Sequence, residues 1–125
     1  MEDKQAQRRA IVYDWVKEVH EHLDWCKEGI DMTMSLFDVQ LSRHADLYPP
    51  DKYQELAAVM MVIAAKANGD SVSMQKIAEY TADYITTENL IRAEMTILRR
   101  IIDDMTICVL VPNPERDADF KRSTG

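Results

Sequence analysis

A chain of 125 residues, 46% of them hydrophobic, with three Gly and four Pro, is the size of one domain with a real core and is not a disordered polymer. Its formal charge of −7 argues against nucleic acid or an anionic membrane as the main partner, and suits either solubility or a basic protein partner. No apolar stretch reaches the roughly 20 residues of a membrane span, and residues 1–9 are too polar for a signal peptide, so a soluble intracellular protein of nucleus or cytoplasm is expected. Cys26 and Cys108 are far apart and lack metal-ligand spacing, which predicts reduced thiols.

Taken in chain order, the pattern is helical almost throughout. Residues 4–23 place Ile11, Trp15 and Val19 on one face, flanked by Val12, Val16 and Leu23. Residues 27–41 repeat Ile30, Thr33, Met34, Phe37 and Leu41 at helical spacing. Pro49-Pro50 marks a stop, Asp51 suits a helix N-terminus, and a third helix runs to residue 67, where Asn68-Gly69 ends it. Residues 56–65 are apolar on every side, so this helix is expected at the centre of the domain, wrapped by amphipathic ones.

A fourth helix is predicted over 73–84, with Met74, Ile77, Ala78, Thr81 and Tyr84 in phase. A fifth follows Thr86-Thr87, an N-cap pair with Glu88 in the first turn, and is expected to end near residue 103. Residues 107–111 are β-branched and without helical period, which predicts an extended segment ended by Pro112-Asn113-Pro114. The expected architecture is all-α: one five-helix domain over 1–112 with a buried central third helix, then a polar, disordered tail over 113–125.

Two charges stand at apolar positions. Glu94 has Leu90, Ile91, Ile97 and Leu98 at its three- and four-residue spacings, so a helix sets this carboxylate among apolar neighbours. Lys66 closes the apolar run 56–65 with the opposite charge. Such groups are costly unless paired, so they form either a core ion pair or part of an interface for a partner chain. Simpler readings exist: Lys66 at a helix C-terminus gains about 0.3–1 kcal/mol from the dipole alone. Glu94 could pair with Arg92 or Arg99, and Arg9 and Asp14 could be solvated charges.

His20, His22 and Cys26, with Glu18 and Asp24 nearby, invite a metal reading. Only His22 and Cys26 share a helix face, whereas a structural zinc site needs four ligands, so solvated histidines and no bound metal are expected. No Gly-rich phosphate loop, nucleophile elbow or paired catalytic carboxylate is present, so neither enzymatic chemistry nor a cofactor is expected.

Arg8-Arg9-Ala10-Ile11-Val12-Tyr13-Asp14-Trp15 followed by Val16-Lys17-Glu18-Val19 resembles the opening helix of the cyclin box. Ser35-Leu36-Phe37-Asp38-Val39-Gln40-Leu41 resembles its second helix. Lys52-Tyr53-Gln54 leading to Val62-Ile63-Ala64-Ala65-Lys66 resembles the third, and Ile91-Arg92-Ala93-Glu94-Met95 the fifth. In order and at near-family spacing over about residues 5–112, these segments identify a likeness to the cyclin N-terminal box. The resemblance implies a regulatory subunit that binds and allosterically activates a cyclin-dependent kinase catalytic subunit. Lys66 and Glu94 would face the kinase with Ile63, Ala64 and Leu98 beside them. Arg9 and Asp38 would form a buried structural ion pair. Arg-x-Leu substrate peptides would dock on Ile11, Val12, Trp15, Glu18 and Gln54.

The pattern departs from the family in places. Ala67-Asn68-Gly69 follows Lys66 where the family usually has an aromatic and then acids, and Arg8 replaces a methionine of the docking patch. The stretch between helices four and five is shorter than usual, and no second box follows, which fits a minimal single-box protein or a fragment. The missing aromatic anchor favours a second reading, a non-activating scaffold or competitor on the same fold. A nucleic-acid-binding cyclin fold is disfavoured by the acidic balance.

Overall fold

Helix α3 (Tyr53–Ala67) is the axis of the molecule. In the computed structural model, which describes residues 2–110, its side chains from Leu56 to Val62 are all buried, as are Ala64 and Ala65; Ile63 alone in that run keeps partial exposure. A helix apolar on every side has no stripe to offer water and must be enclosed. The enclosure is built by α1 (Glu2–Leu23), α2 (Glu28–Arg43), α4 (Met74–Tyr80) and α5 (Thr87–Leu110), with α2 packed most extensively on α3, then α5 and α1. Among the described residues there are no strands, so the architecture is all-α with a buried third helix. No helix of the described residues is long and apolar enough to cross a membrane.

Helix α1 buries Val12, Val16 and Val19, leaving Trp15 half-buried and Ile11 69% exposed. The inward face is therefore turned one residue from the expected Ile11-Trp15-Val19 stripe. Apolar residues at 11, 12, 15, 16 and 19 make a band wider than one contact seam, and packing on α3 selects its Val12-Val16-Val19 edge. Helix α2 buries Thr33, Met34 and Phe37, and the Phe37 ring meets Tyr53 of α3 edge-on at 5.7 Å.

Three helices end in the same way. After α1, α3 and α4 a residue turns left-handed: Asp24 (φ 54), Gly69 (φ 80) and Ala82 (φ 54). In each case the next amide reaches back five residues, as in Trp25 N to His20 O (3.0 Å), Asp70 N to Ala65 O (2.9 Å) and Asp83 N to Ala78 O (3.2 Å). These are Schellman caps, which satisfy carbonyls that a helix end leaves without partners. The third cap shortens α4 relative to the predicted 73–84. The Thr81 hydroxyl donates to Ala78 O (2.6 Å) and accepts from Ile85 N (3.2 Å), closing a turn before α5. Thr86 then caps α5, its hydroxyl accepting from Asn89 N at 3.1 Å.

Helix α5 runs through Leu110, seven residues past its expected end, and this corrects the reading of residues 107–110 as extended. No Gly or Pro interrupts the chain between Asp103 and Leu110, and β-branched residues weaken a helix by only fractions of a kcal/mol each, roughly 0.7 at most. Val111 and the expected tail lie outside the described residues. A polar network holds the later turns of α5. Arg100 donates to the Tyr48 hydroxyl (2.8 Å) and lies over its ring, while Asp104 accepts from Gln40 (3.5 Å) and pairs with His44 (3.0 Å).

Candidate functional site

Lys66 stands in the last turn of α3 and Glu94 in the second turn of α5, so the packing of α5 on α3 brings together residues 28 positions apart. The Lys66 ammonium donates to a Glu94 carboxylate oxygen at 2.8 Å. The lysine side chain is 54% exposed, the glutamate side chain 11%. Each answers the problem posed by the other: the carboxylate at the edge of the core has its counter-ion, and the ammonium keeps two N–H donors for another acceptor.

Around the pair α5 presents two apolar stripes rather than one. Leu90 and Ile97 are buried, with Glu94 between them. Ile91, Met95, Ile102 and Met105 are exposed, 66% in the case of Met95, and with half-buried Leu98 they follow the spacing i, i+4, i+7, i+11, i+14. This is the geometry of a seam that seats a second helix. Glu94 therefore lies on the border between core and seam, not inside one stripe. The sequence groups Leu90, Ile91, Ile97 and Leu98 around Glu94 without dividing them between the two stripes, and Met95, Ile102 and Met105 complete the outer row at heptad spacing. Ile63 and Leu98 are partly exposed beside the pair. Ala64 is fully buried and, two residues before Lys66, lies on another face of α3, which corrects its expected place on the contact surface.

Arg9 and Asp38 form a bidentate pair, Nε to Oδ1 and Nη2 to Oδ2, both at 2.9 Å, tying α1 to α2. The pairing is as expected but the burial is not: the side chains are 47% and 45% exposed, because both project from the outer rim of the α1–α2 contact. The hydrogen bonds it donates to the Asp38 carboxylate hold the Arg9 guanidinium in its charged form even more firmly than usual.

The expected docking residues divide. Ile11, Val12 and Trp15 of α1 and Tyr53 and Gln54 of α3 line one groove of about 350 Å³, with Arg8 at its rim. Trp15 is fixed there by its indole N–H, which donates to Tyr80 O at 3.1 Å. Glu18 is exposed and does not line this groove.

The histidine cluster comes apart. His20 is buried, its Nδ1 donating to Val16 O at 2.8 Å and its ring edge-on to Trp25, which corrects the expectation that it is solvated. His22 is exposed, with Nδ1 3.3 Å from Glu18 O, and the free Cys26 thiol donates to Glu28 at 2.6 Å. Among the described residues no group of three His, Cys, Asp or Glu side chains could hold a metal ion.

The sequence profile of the cyclin N-terminal domain matches residues 1–106. The chain belongs to the cyclin family. Two curated cyclins are similar to it. A G2/mitotic-specific cyclin-A of Hydra viridissima is 29% identical over 108 residues, covering 84% of this chain and 25% of that protein. An S-phase entry cyclin-5 of Saccharomyces cerevisiae is 36% identical over 78 residues, covering 62% of this chain and 17% of that protein. The chain thus aligns with a quarter or less of either relative's length. No solved structure matches it at a significant level. In this cyclin domain the third- and fifth-helix charges, the first-helix groove and the Arg9–Asp38 tie are features of one all-α box.

Proposed function

We propose that the chain is a cyclin-like regulatory subunit that binds a cyclin-dependent kinase through the α3–α5 face and activates it allosterically. The observation that carries this reading is the Lys66–Glu94 pair bordered by the exposed seam of Ile91, Met95 and Leu98. Exposed apolar residues in a continuous row favour a partner over water, and charged donors and acceptors beside them set its register. A kinase helix seated on the seam would offer backbone groups to the spare Lys66 donors and Glu94 acceptors. Selective affinity for the kinase conformation with that helix turned inward, where its catalytic Lys–Glu pair forms, shifts the kinase toward activity. The cyclin itself supplies no reacting group. The relatives' names place them in mitosis and S phase, which agrees with a role in the cell cycle for this chain. The α1–α3 groove is the second working surface, a dock for substrate peptides.

The test is association with a panel of cyclin-dependent kinases by the wild type, Lys66→Ala and Glu94→Ala. Both variants are expected to stay folded and lose kinase; retention at the wild-type level overturns the assignment. One observation favours a non-activating competitor instead. Ala67, Asn68 and Gly69 follow Lys66 and are all exposed, so no aromatic anchors the partner there. Histone phosphorylation with and without the chain separates the two, since a competitor binds kinase without raising the rate.

A further inference from the structure

Among the described residues that line the α1–α3 groove, the charged one is Arg8. Nothing described neutralises it. Its neighbour Arg9 is committed to Asp38, whereas the Arg8 side chain takes part in no ion pair or hydrogen bond among the described residues. The residues one helical turn away on α1 are Lys4, Gln5, Ile11 and Val12, and none is acidic. Glu18, the acid that would receive an arginine of a docked peptide, is ten residues farther along α1, about 15 Å by helical rise, and outside the groove wall.

We infer that this groove takes a peptide of acidic-aliphatic character, with a bulky apolar side chain seated on Val12, Trp15 and Tyr53 and an adjacent Asp or Glu paired with Arg8. This rests on the reading of the groove as a peptide dock and determines the polarity of what docks there. An arginine brought to the same place meets a like charge beside an apolar wall, where repulsion is less screened than in water. A carboxylate there gains a charge-assisted, bidentate partner that no internal acid already occupies. The groove is partly preformed, because the Trp15 ring is held by its bond to Tyr80 O. The overall charge of −7 opposes an acidic ligand only at long range, and at physiological salt that field decays within about 8 Å.

The experiment is fluorescence anisotropy with three labelled peptides that share a Leu-Phe pair and differ in carrying Asp-Asp, Gln-Gln or Arg-Arg just before it. The acidic peptide is expected to bind about tenfold more tightly than the basic one. Arg8→Glu, an exposed position whose change leaves the fold intact, is expected to invert that order. Ile11→Ser, also exposed, should weaken all three. A wild type that prefers the basic peptide, or shows no preference, overturns the acidic polarity and leaves the dock standing if Ile11→Ser still weakens binding. An acidic preference unchanged in Arg8→Glu also overturns it, since another group must then read the acid. If no peptide binds, or Ile11→Ser changes nothing, the groove is not a dock and both readings fail.

Discussion

Lys66 and Glu94 share a 2.8 Å ion pair yet meet water very unequally, the lysine side chain 54% exposed and the glutamate 11%. The two ends of the pair should therefore respond differently to mutation. Lys66→Ala strands a nearly covered carboxylate, and is expected to lower stability by about 1–3 kcal/mol. Glu94→Leu leaves only an ammonium that water can reach and adds apolar area at the core edge, so stability should hold or rise. Kinase association should fall in both. Urea denaturation beside a binding assay checks this, and a Glu94→Leu protein that is both less stable and fully competent in binding contradicts it.

The seam on α5 should matter to association and not to folding. Met95 is exposed, and surface substitutions away from caps and cores usually stay within about 0.5 kcal/mol. Met95→Glu is thus expected to unfold at the wild-type urea midpoint while losing at least tenfold in kinase affinity, about 1.4 kcal/mol. Undiminished affinity would move the contact surface off this face.

Arg9 and Asp38 make an ideal bidentate pair in an exposed place. Exposed pairs contribute about 0.2–1 kcal/mol, whereas breaking a buried pair costs about 3–5. Arg9→Ala is expected at the lower figure, with the loss shrinking further in high salt. A loss above about 3 kcal/mol would mean that the pair is sealed from solvent, contrary to its position on the α1–α2 rim.

Ala82 and Asp83 are consecutive left-handed residues at the end of α4 with φ of 54 and 59. A left-handed residue with a Cβ costs about 1–2 kcal/mol, and glycine recovers most of that while losing some unfolded-chain entropy. Ala82→Gly is expected to raise stability by about 0.5–1 kcal/mol, the reverse of the usual sign for that substitution in a helix. Gly69→Ala, at φ 80 and with open space around the new methyl, should lower it by a similar amount. Thermal unfolding of both variants reads the two signs directly.

What could be read from the residues, and what could not, follows the same physics. The buried third helix was legible because residues 56–65 leave no polar side. That Lys66 and Glu94 each need a partner was legible because each charge sits among apolar neighbours, but their pairing with one another was not, since Arg92, Arg99 and the α3 dipole offered local alternatives. The facing of α1 was not, since five closely spaced apolar residues permit more than one inward edge and only packing on α3 selects it. Nor was the end of α4, because Thr81, Ala82, Asp83 and Tyr84 contain neither Gly nor Pro and the left-handed turn is imposed by tertiary closure. The continuation of α5 past Asp103 was hidden by β-branched residues whose local preference a long helix overrides. The Arg9–Asp38 partners were recognised by resemblance, but their exposure depends on how far the rim of α2 lies from the core.

The buried His20 gives the fold a pH dependence with a definite sign. Its Nδ1 donates to Val16 O, its Nε2 has no partner among the described residues, and burial pushes its pKa below the ordinary 6.5, with Asp70 acting weakly in the opposite direction. The folded state therefore resists a proton that the unfolded chain accepts near pH 6.5, so stability is complete above about 6.5 and declines as the pH falls below it. Asp104 acts in a separate window. The hydrogen bond from His44 holds its carboxyl below the usual 3.8, so its contribution persists above about 3.8 and is lost only on further acidification. Urea midpoints at about pH 7.5 and pH 5.5 span the histidine window and leave out that of the carboxylate, and a His20 variant then singles out this histidine. The wild type should be less stable at the lower pH. His20→Phe, which keeps a ring against Trp25 and removes the titrating group, should flatten that difference. A difference that survives in the phenylalanine variant would place the responsible proton on another residue.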